Sequence, residues 1–137
     1  MTPTARSLKH LRSLGWTAAI VERWNPYAKV RQDLFGIIDI VALRPRICLG
    51  VQTTIGAHHA DRIAKAMAEP RLLPWLLAGC RFQVWSWAQR GPRGKRKLWT
   101  LRIEEIVADV EPTGMIKLRA TEAPDGDSVM PSEPFAV

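Results

Sequence analysis

Two apolar runs stand side by side in this chain. Residues 34–43, LFGIIDIVAL, contain a single charged side chain, Asp39. Residues 47–54, ICLGVQTT, keep their apolar character up to Gln52. Between them Arg44-Pro45-Arg46 reads as a turn. Runs that are apolar at consecutive rather than alternate positions belong to strands buried on both faces. The sheet that holds such strands needs helices packed on it. The chain has 137 residues, a length for one domain, and its 47% apolar share excludes wholesale disorder.

The remaining elements follow from local signals. Thr2 and Pro3 start a helix whose buried stripe is Leu8, Leu11 and Leu14, and Gly15 ends it. Residues 16–24 read as a strand and residues 25–33 as a polar loop. After Gly56 the period changes, and residues 57–68 form a helix with Ala60, Ile63, Ala64 and Met67 inward. Residues 71–78 give another helical turn or two around Pro74. Residues 81–87, RFQVWSW, alternate as a strand, and residues 98–101 return as the second strand of a hairpin. Residues 103–107 suggest a short helix. The expected class is α/β, a mixed sheet flanked by helices in the order α-β-β-β-α-β-β, with residues 1–111 as the domain. Residues 112–137, acidic and Pro-rich, are expected to be a mostly unordered tail.

Charge is divided unevenly. Residues 1–102 contain 18 Lys and Arg but only five carboxylates, whereas residues 103–137 contain two basic residues and eight acids. The net charge of +7 therefore joins a body of +13 to an acidic end of −6. Such a body points to a polyanion, with nucleic acid the first candidate; solubility is the plainer alternative. No apolar run is long enough for a membrane helix, and residues 1–16 lack the apolar core of a secretory signal. A cytoplasmic setting, in a bacterial or phage-infected cell, is the expectation. Cys48 and Cys80 fit reduced thiols and are too few for a zinc site.

Asp39 carries the chemistry. A carboxylate inside an apolar strand is costly to bury unpaired and must meet a cation, a metal or donors. If the two strands pair as a hairpin, Asp39 meets Gln52 at one end of the sheet. Thr54 lies on the same face as Gln52, and His58, Arg62 and Lys65 follow on the next helix. The plainer readings are a buried acid paired with Arg, ordinary strand residues and a solvated helix face. His58 and His59 are adjacent, so on a helix they point about 100° apart and do not chelate together.

The segments Ile38-Asp39-Ile40-Val41 and Val51-Gln52-Thr53-Thr54 resemble the PD-(D/E)xK nuclease superfamily. The pattern is nearest to archaeal Holliday-junction resolvases and Mrr-type restriction nucleases, and is similar to small phage-encoded proteins with D-L-F-G-x-x-D followed by V-Q-x-T. The resemblance covers roughly residues 5–87, including the step LRSLGWTAAIVERW. It implies a restriction-endonuclease-like fold, a Mg²⁺ or Mn²⁺ cofactor and DNA cleavage, with a homodimer as a possible state. Asp39 matches the metal-binding acid, and Gln52 stands where the second acid lies, as in Mrr-type members. Thr54 occupies the position of the lysine, and the first helix lacks the glutamate of many members. One Asp and one Gln make a poor cage for a hard cation. Glu22 or Asp33 is the expected auxiliary ligand, and Lys65 the expected substitute for the lysine.

A second signal is QRGPRGKRK at residues 89–97. Arg90, Arg93, Lys95, Arg96 and Lys97 cluster in a turn able to follow a phosphate backbone. Trp85, Trp87 and Trp99 flank it, as core or as stacking platforms. The expected function is a metal-dependent deoxyribonuclease, with branched or single-stranded DNA as candidate substrates. The alternatives are a degenerate nuclease fold that binds nucleic acid without cleaving it, and a protein-interaction module.

Overall fold

A computed structural model describes residues 1–123 of the chain. Helix α1, Pro3–Ser13, begins with the Thr2 hydroxyl accepting the Ala5 N–H. Strand β1 is Thr17–Ile20, β2 Arg23–Asn25 and β3 Val30–Gln32. The central hairpin is β4, Ile40–Arg44, and β5, Ile47–Ile55. A 3-10 turn leads into α2, His59–Ala68, and then α3, Leu72–Leu77. Three long strands close the described chain: β6 Arg81–Arg90, β7 Leu98–Val110 and β8 Ile116–Ala123.

Six strands form one mixed sheet in the order β1-β4-β5-β6-β7-β8, and β2 and β3 form a separate ribbon. Only β5 and β6 pair in parallel, because α2 and α3 carry the chain across between them. The sheet separates two cores. Leu11 and Trp16 at the α1 side pack with Leu49, Val51, Trp85 and Ile103. Ala66 of α2 and Leu72 of α3 pack with Ile38, Phe82, Val84 and Ile106. Neighbouring residues such as Val84 and Trp85 go to different cores, which is the two-residue alternation of a strand covered on both faces. The α/β class and the helix-flanked mixed sheet expected from the apolar runs are therefore present.

Several local expectations are corrected. The run 34–43 is strand only from Ile40. Its first half is a turn closed by a bridge between Leu34 and Ile38, with Phe35 and Gly36 at φ 55° and 75°. Two consecutive left-handed residues cannot lie in an extended strand, yet Ile37 and Ile38 are fully buried, so the turn itself fills the second core. The single strand expected over 16–24 divides at Val21 and Glu22, and the loop expected over 25–33 contains β3. The inward face of α2 is His59, Ile63, Ala66 and Met67, while Ala60 and Ala64 are exposed.

Residues 103–107 belong to β7 rather than to a helix. The I-E-E-I pattern looks like helical spacing, but each face of the strand gives its acid a partner. Glu105 accepts from Arg81 and Gln83, and Glu104 meets His59. The domain also runs past residue 111. Residues 116–123, expected within the unordered tail, form β8 antiparallel to β7. Cross-strand ion pairs hold it: Arg119 to Asp109, Lys117 to Glu111, and Arg102 to Glu122. The tail expectation for residues 124–137 lies outside the described residues.

Candidate metal centre

Asp39 sits immediately before β4, where the β4–β5 ladder ends. Its N–H donates to the Val51 carbonyl at 2.9 Å, the last backbone bond on that side. Its carboxylate then replaces the missing strand. Asp39 Oδ2 accepts the Thr53 N–H at 2.8 Å and the Gln52 Nε2–H at 2.8 Å. The hairpin expected from the two apolar runs thus brings Asp39 and Gln52 together. Both are almost fully buried, 4% and 3% exposed.

Two more acids reach the same point. Glu22 stands between β1 and β2, and Asp33 directly follows β3. Glu22, Asp33 and Asp39 each offer a carboxylate oxygen within 4.8 Å of the others. Three of the five carboxylates in residues 1–102 therefore converge on one spot. Sequence reasoning had reached both neighbours as the expected auxiliary ligands.

The electrostatics are unfavourable for three bare charges. Burial pushes the Asp39 carboxyl up to about 8, aided by its hydrogen bond with Asp33 and by the negative charges of Asp33 and Glu22; the Thr53 N–H pulls the other way. Arg31 lies 3.8 Å from Glu22 but is two-thirds exposed, so it offsets little. These effects favour the protonated form of Asp39 over the bare carboxylate. The same donor set suits a hard divalent cation, which takes oxygen ligands and supplies the missing positive charge. Gln52 contributes a further sign: its Oε1 is buried and has no hydrogen-bond partner. Rotating the amide by half a turn exchanges Nε2 for Oε1 and turns an acceptor toward Asp39.

Other expected site residues are placed differently. Thr54 is buried on β5, opposite Ser86 in the register, and no hydrogen bond joins its hydroxyl to the carboxylates. Lys65 is exposed on α2, with no ion pair to the acidic cluster among the described residues. Arg62 is half-buried, and its Nε is enclosed without a partner. Of the two histidines, His58 is exposed and His59 is buried between Ser86 Oγ at 2.6 Å and Glu104 Oε1 at 2.9 Å.

The basic hairpin tip is at the same end of the sheet as Asp39. Gln52 pairs in register with Val84, and β6 continues from there to Arg90, about 20 Å further along the strand. Arg90, Arg93, Lys95, Arg96 and Lys97 are all exposed. Of the flanking tryptophans, Trp85 and Trp87 are core, and Trp99 is 44% exposed with Arg6 stacked 4.1 Å from its ring centroid.

Two arginines beside the cluster were not anticipated. A cavity of about 380 Å³ opens next to Asp33, lined also by Val21, Gln32, Phe35, Arg23 and Arg71. Arg71 is held there by Glu69 and by the Phe35 carbonyl. No sequence spacing links these positions; the turn at Phe35 and Gly36 brings α3's approach against the ribbon.

Comparison with protein-family models, with curated proteins and with solved structures returned no match for this chain.

Proposed function

We propose that the chain is a divergent restriction-endonuclease-like protein that hydrolyses DNA phosphodiester bonds with Mg²⁺ or Mn²⁺ held by Glu22, Asp33 and Asp39. The observation that carries this reading is the convergence of three carboxylates at one strand end of an otherwise acid-poor, strongly basic body. The ion in such a site supplies polarisation of a phosphoryl oxygen and activation of water. Asp39 and Asp33 supply the negative charge that binds it, and the Thr53 N–H and Gln52 fix the Asp39 carboxylate in place. Arg23 and Arg71, on the cavity beside Asp33, are placed to hold a phosphate against the centre. The basic hairpin at the same end gives the flanking backbone an electrostatic track.

A second reading has its own support. Thr54 stands where the resemblance requires lysine, and Lys65 is exposed, so among the described residues no lysine adjoins the carboxylates as general base. A centre that binds metal and DNA without cutting fits that observation. Incubating supercoiled plasmid with the protein and Mn²⁺ separates the two. The nuclease reading expects nicking that EDTA, Asp39→Ala and Glu22→Gln each abolish. Stable DNA binding with no nicking in Mg²⁺ or Mn²⁺ refutes turnover and selects the binding protein.

A further inference from the structure

The β2–β3 ribbon combines basic charge with exposed aromatic rings. Its residues 23–32, RWNPYAKVRQ, hold three basic side chains and no acid. Trp24 is 55% exposed and Tyr27 96%, with Val30 exposed beside them. A two-stranded ribbon gains little by presenting large aromatic rings to water. Yet its tip is well defined: Asn25 Oδ1 accepts the N–H groups of Tyr27 and Ala28 at 2.9 and 3.1 Å, and Lys29 takes φ 54°. Trp24 lies opposite Arg31 across the ribbon. Trp24 and Tyr27, with Arg23, Asn25 and Pro26, line a recess of about 270 Å³.

The position of the ribbon gives these features a direction. Its two feet are Glu22 and Asp33, two of the three clustered carboxylates. Arg23 lines both the aromatic recess and the cavity beside Asp33, so the two adjoin at one arginine. An aromatic recess, a cationic bridge and an acidic centre follow each other in that order.

We propose that the ribbon binds an unpaired nucleic-acid strand: a base stacks on Trp24 and Tyr27, and the adjoining phosphate lies on Arg23 at the entrance to the carboxylate centre. Aromatic rings need an exposed base face, which a strand offers and a closed duplex does not. The ribbon's +3 charge without acids suits a polyanion and leaves a basic or neutral peptide without a matching group, and the exposed rings of Trp24 and Tyr27 favour stacked bases over the carboxylates of an acidic peptide. The proposal deepens the nuclease reading and rests on it for its biological meaning, by assigning substrates that carry unpaired bases beside the scissile bond.

The test is a binding titration in EDTA, which does not depend on cleavage. Labelled single-stranded oligodeoxynucleotide and a blunt hairpin duplex of equal nucleotide number are titrated by fluorescence anisotropy. The Trp24→Ala/Tyr27→Ala protein should lose about tenfold or more in affinity for the single strand, with duplex affinity unchanged. Trp24→Phe/Tyr27→Phe should retain most of it. Both positions are exposed, and an unchanged thermal midpoint verifies the fold. Equal loss on strand and duplex, or no loss on the strand, overturns the proposal; failure to bind either leaves the ribbon as a protein contact and overturns it too. A plasmid-nicking assay of the wild-type protein with Mn²⁺, run beside the titration, separates the two ideas. Strand binding that survives in a wild-type protein unable to nick DNA sinks the nuclease reading while keeping the ribbon, and nicking with no strand preference does the reverse.

Discussion

Asp39→Asn is the substitution that most directly interrogates the carboxylate centre. The Asn amide reproduces the protonated acid: its oxygen can accept from Thr53 N–H and Gln52, and its NH₂ can donate to Asp33. What it removes is titration. The Asp39 carboxyl has an ordinary value of 3.8 in the unfolded chain and about 8 in the folded protein. The folded state therefore binds the proton more tightly. The stability this contributes is complete below the unfolded value, declines as pH rises above it, and is lost through the folded value. Between about pH 5 and about pH 8 the loss is on the order of 4 kcal/mol, from 1.36 kcal/mol for each pH unit crossed between the unfolded and folded values. Other groups titrate in that window in both proteins, so the quantity to measure is the difference. Urea denaturation of wild type and Asp39→Asn across that range should show the variant gaining on the wild type as pH rises. Mn²⁺ at saturating concentration should restore most of the wild-type loss at the alkaline end, because a cation binds the ionised carboxylates of the folded state alone. The variant should show a far smaller response to the ion. Parallel pH curves for the two proteins refute the protonated, charge-crowded centre, and an equal Mn²⁺ response in both refutes the assignment of the ion to Asp39.

Two further outcomes probe the framework around the site. Replacing Arg93, Lys95, Arg96 and Lys97 with Ala should weaken duplex binding and flatten its dependence on salt, since each released phosphate contact lowers the slope; an unchanged slope in a titration at several salt concentrations removes the hairpin tip from the DNA interface. Gly50→Ala should destabilise the protein by roughly 1–3 kcal/mol in chemical denaturation. A Cβ there meets Ile38 Cδ1 at 2.9 Å and Trp75 Cζ2 at 3.0 Å, so it presses on the turn that carries Asp39, and a neutral variant contradicts that packing.

The sheet was legible because its signal is thermodynamic. Strands covered on both faces must be apolar at consecutive positions, and β5 and the second half of the 34–43 run are. The meeting of Asp39 and Gln52 follows from the same runs, since Arg44-Pro45-Arg46 fixes a hairpin and the hairpin fixes the register. What escaped the sequence has a different basis. The turn at residues 34–38 is as apolar as a strand, because burial and extended conformation are separate properties; only Gly36 hinted at it. In β7, Glu104 and Glu105 are satisfied by His59 on one face and by Arg81 and Gln83 on the other, a pairing that no local pattern encodes. The acidic end of the chain was read by its composition, but Asp109, Glu111 and Glu122 are partners of Arg119, Lys117 and Arg102 within one hairpin.

That local pairing changes the meaning of the charge division. Acids of residues 103–123 are matched by arginines and a lysine on β7 and β8 and by His59 and Arg81, so they do not screen the basic surface elsewhere. The contrast therefore lies between two strand pairs. The β7–β8 edge is charge-balanced, whereas the ribbon between Glu22 and Asp33 holds three basic side chains and no acid. Among the described residues the ion pair made by these three carboxylates is Arg31 to Glu22 at 3.8 Å, with Arg31 mostly in water, and Asp39 hydrogen-bonds to Asp33 rather than to an arginine. A cluster built only for stability would close such pairs, as Glu105 does with Arg81 at 2.5 Å. Leaving them open costs stability that a bound divalent cation would return under the proposed function, and the cost is readable in the pH curve of Asp39 before any substrate is found.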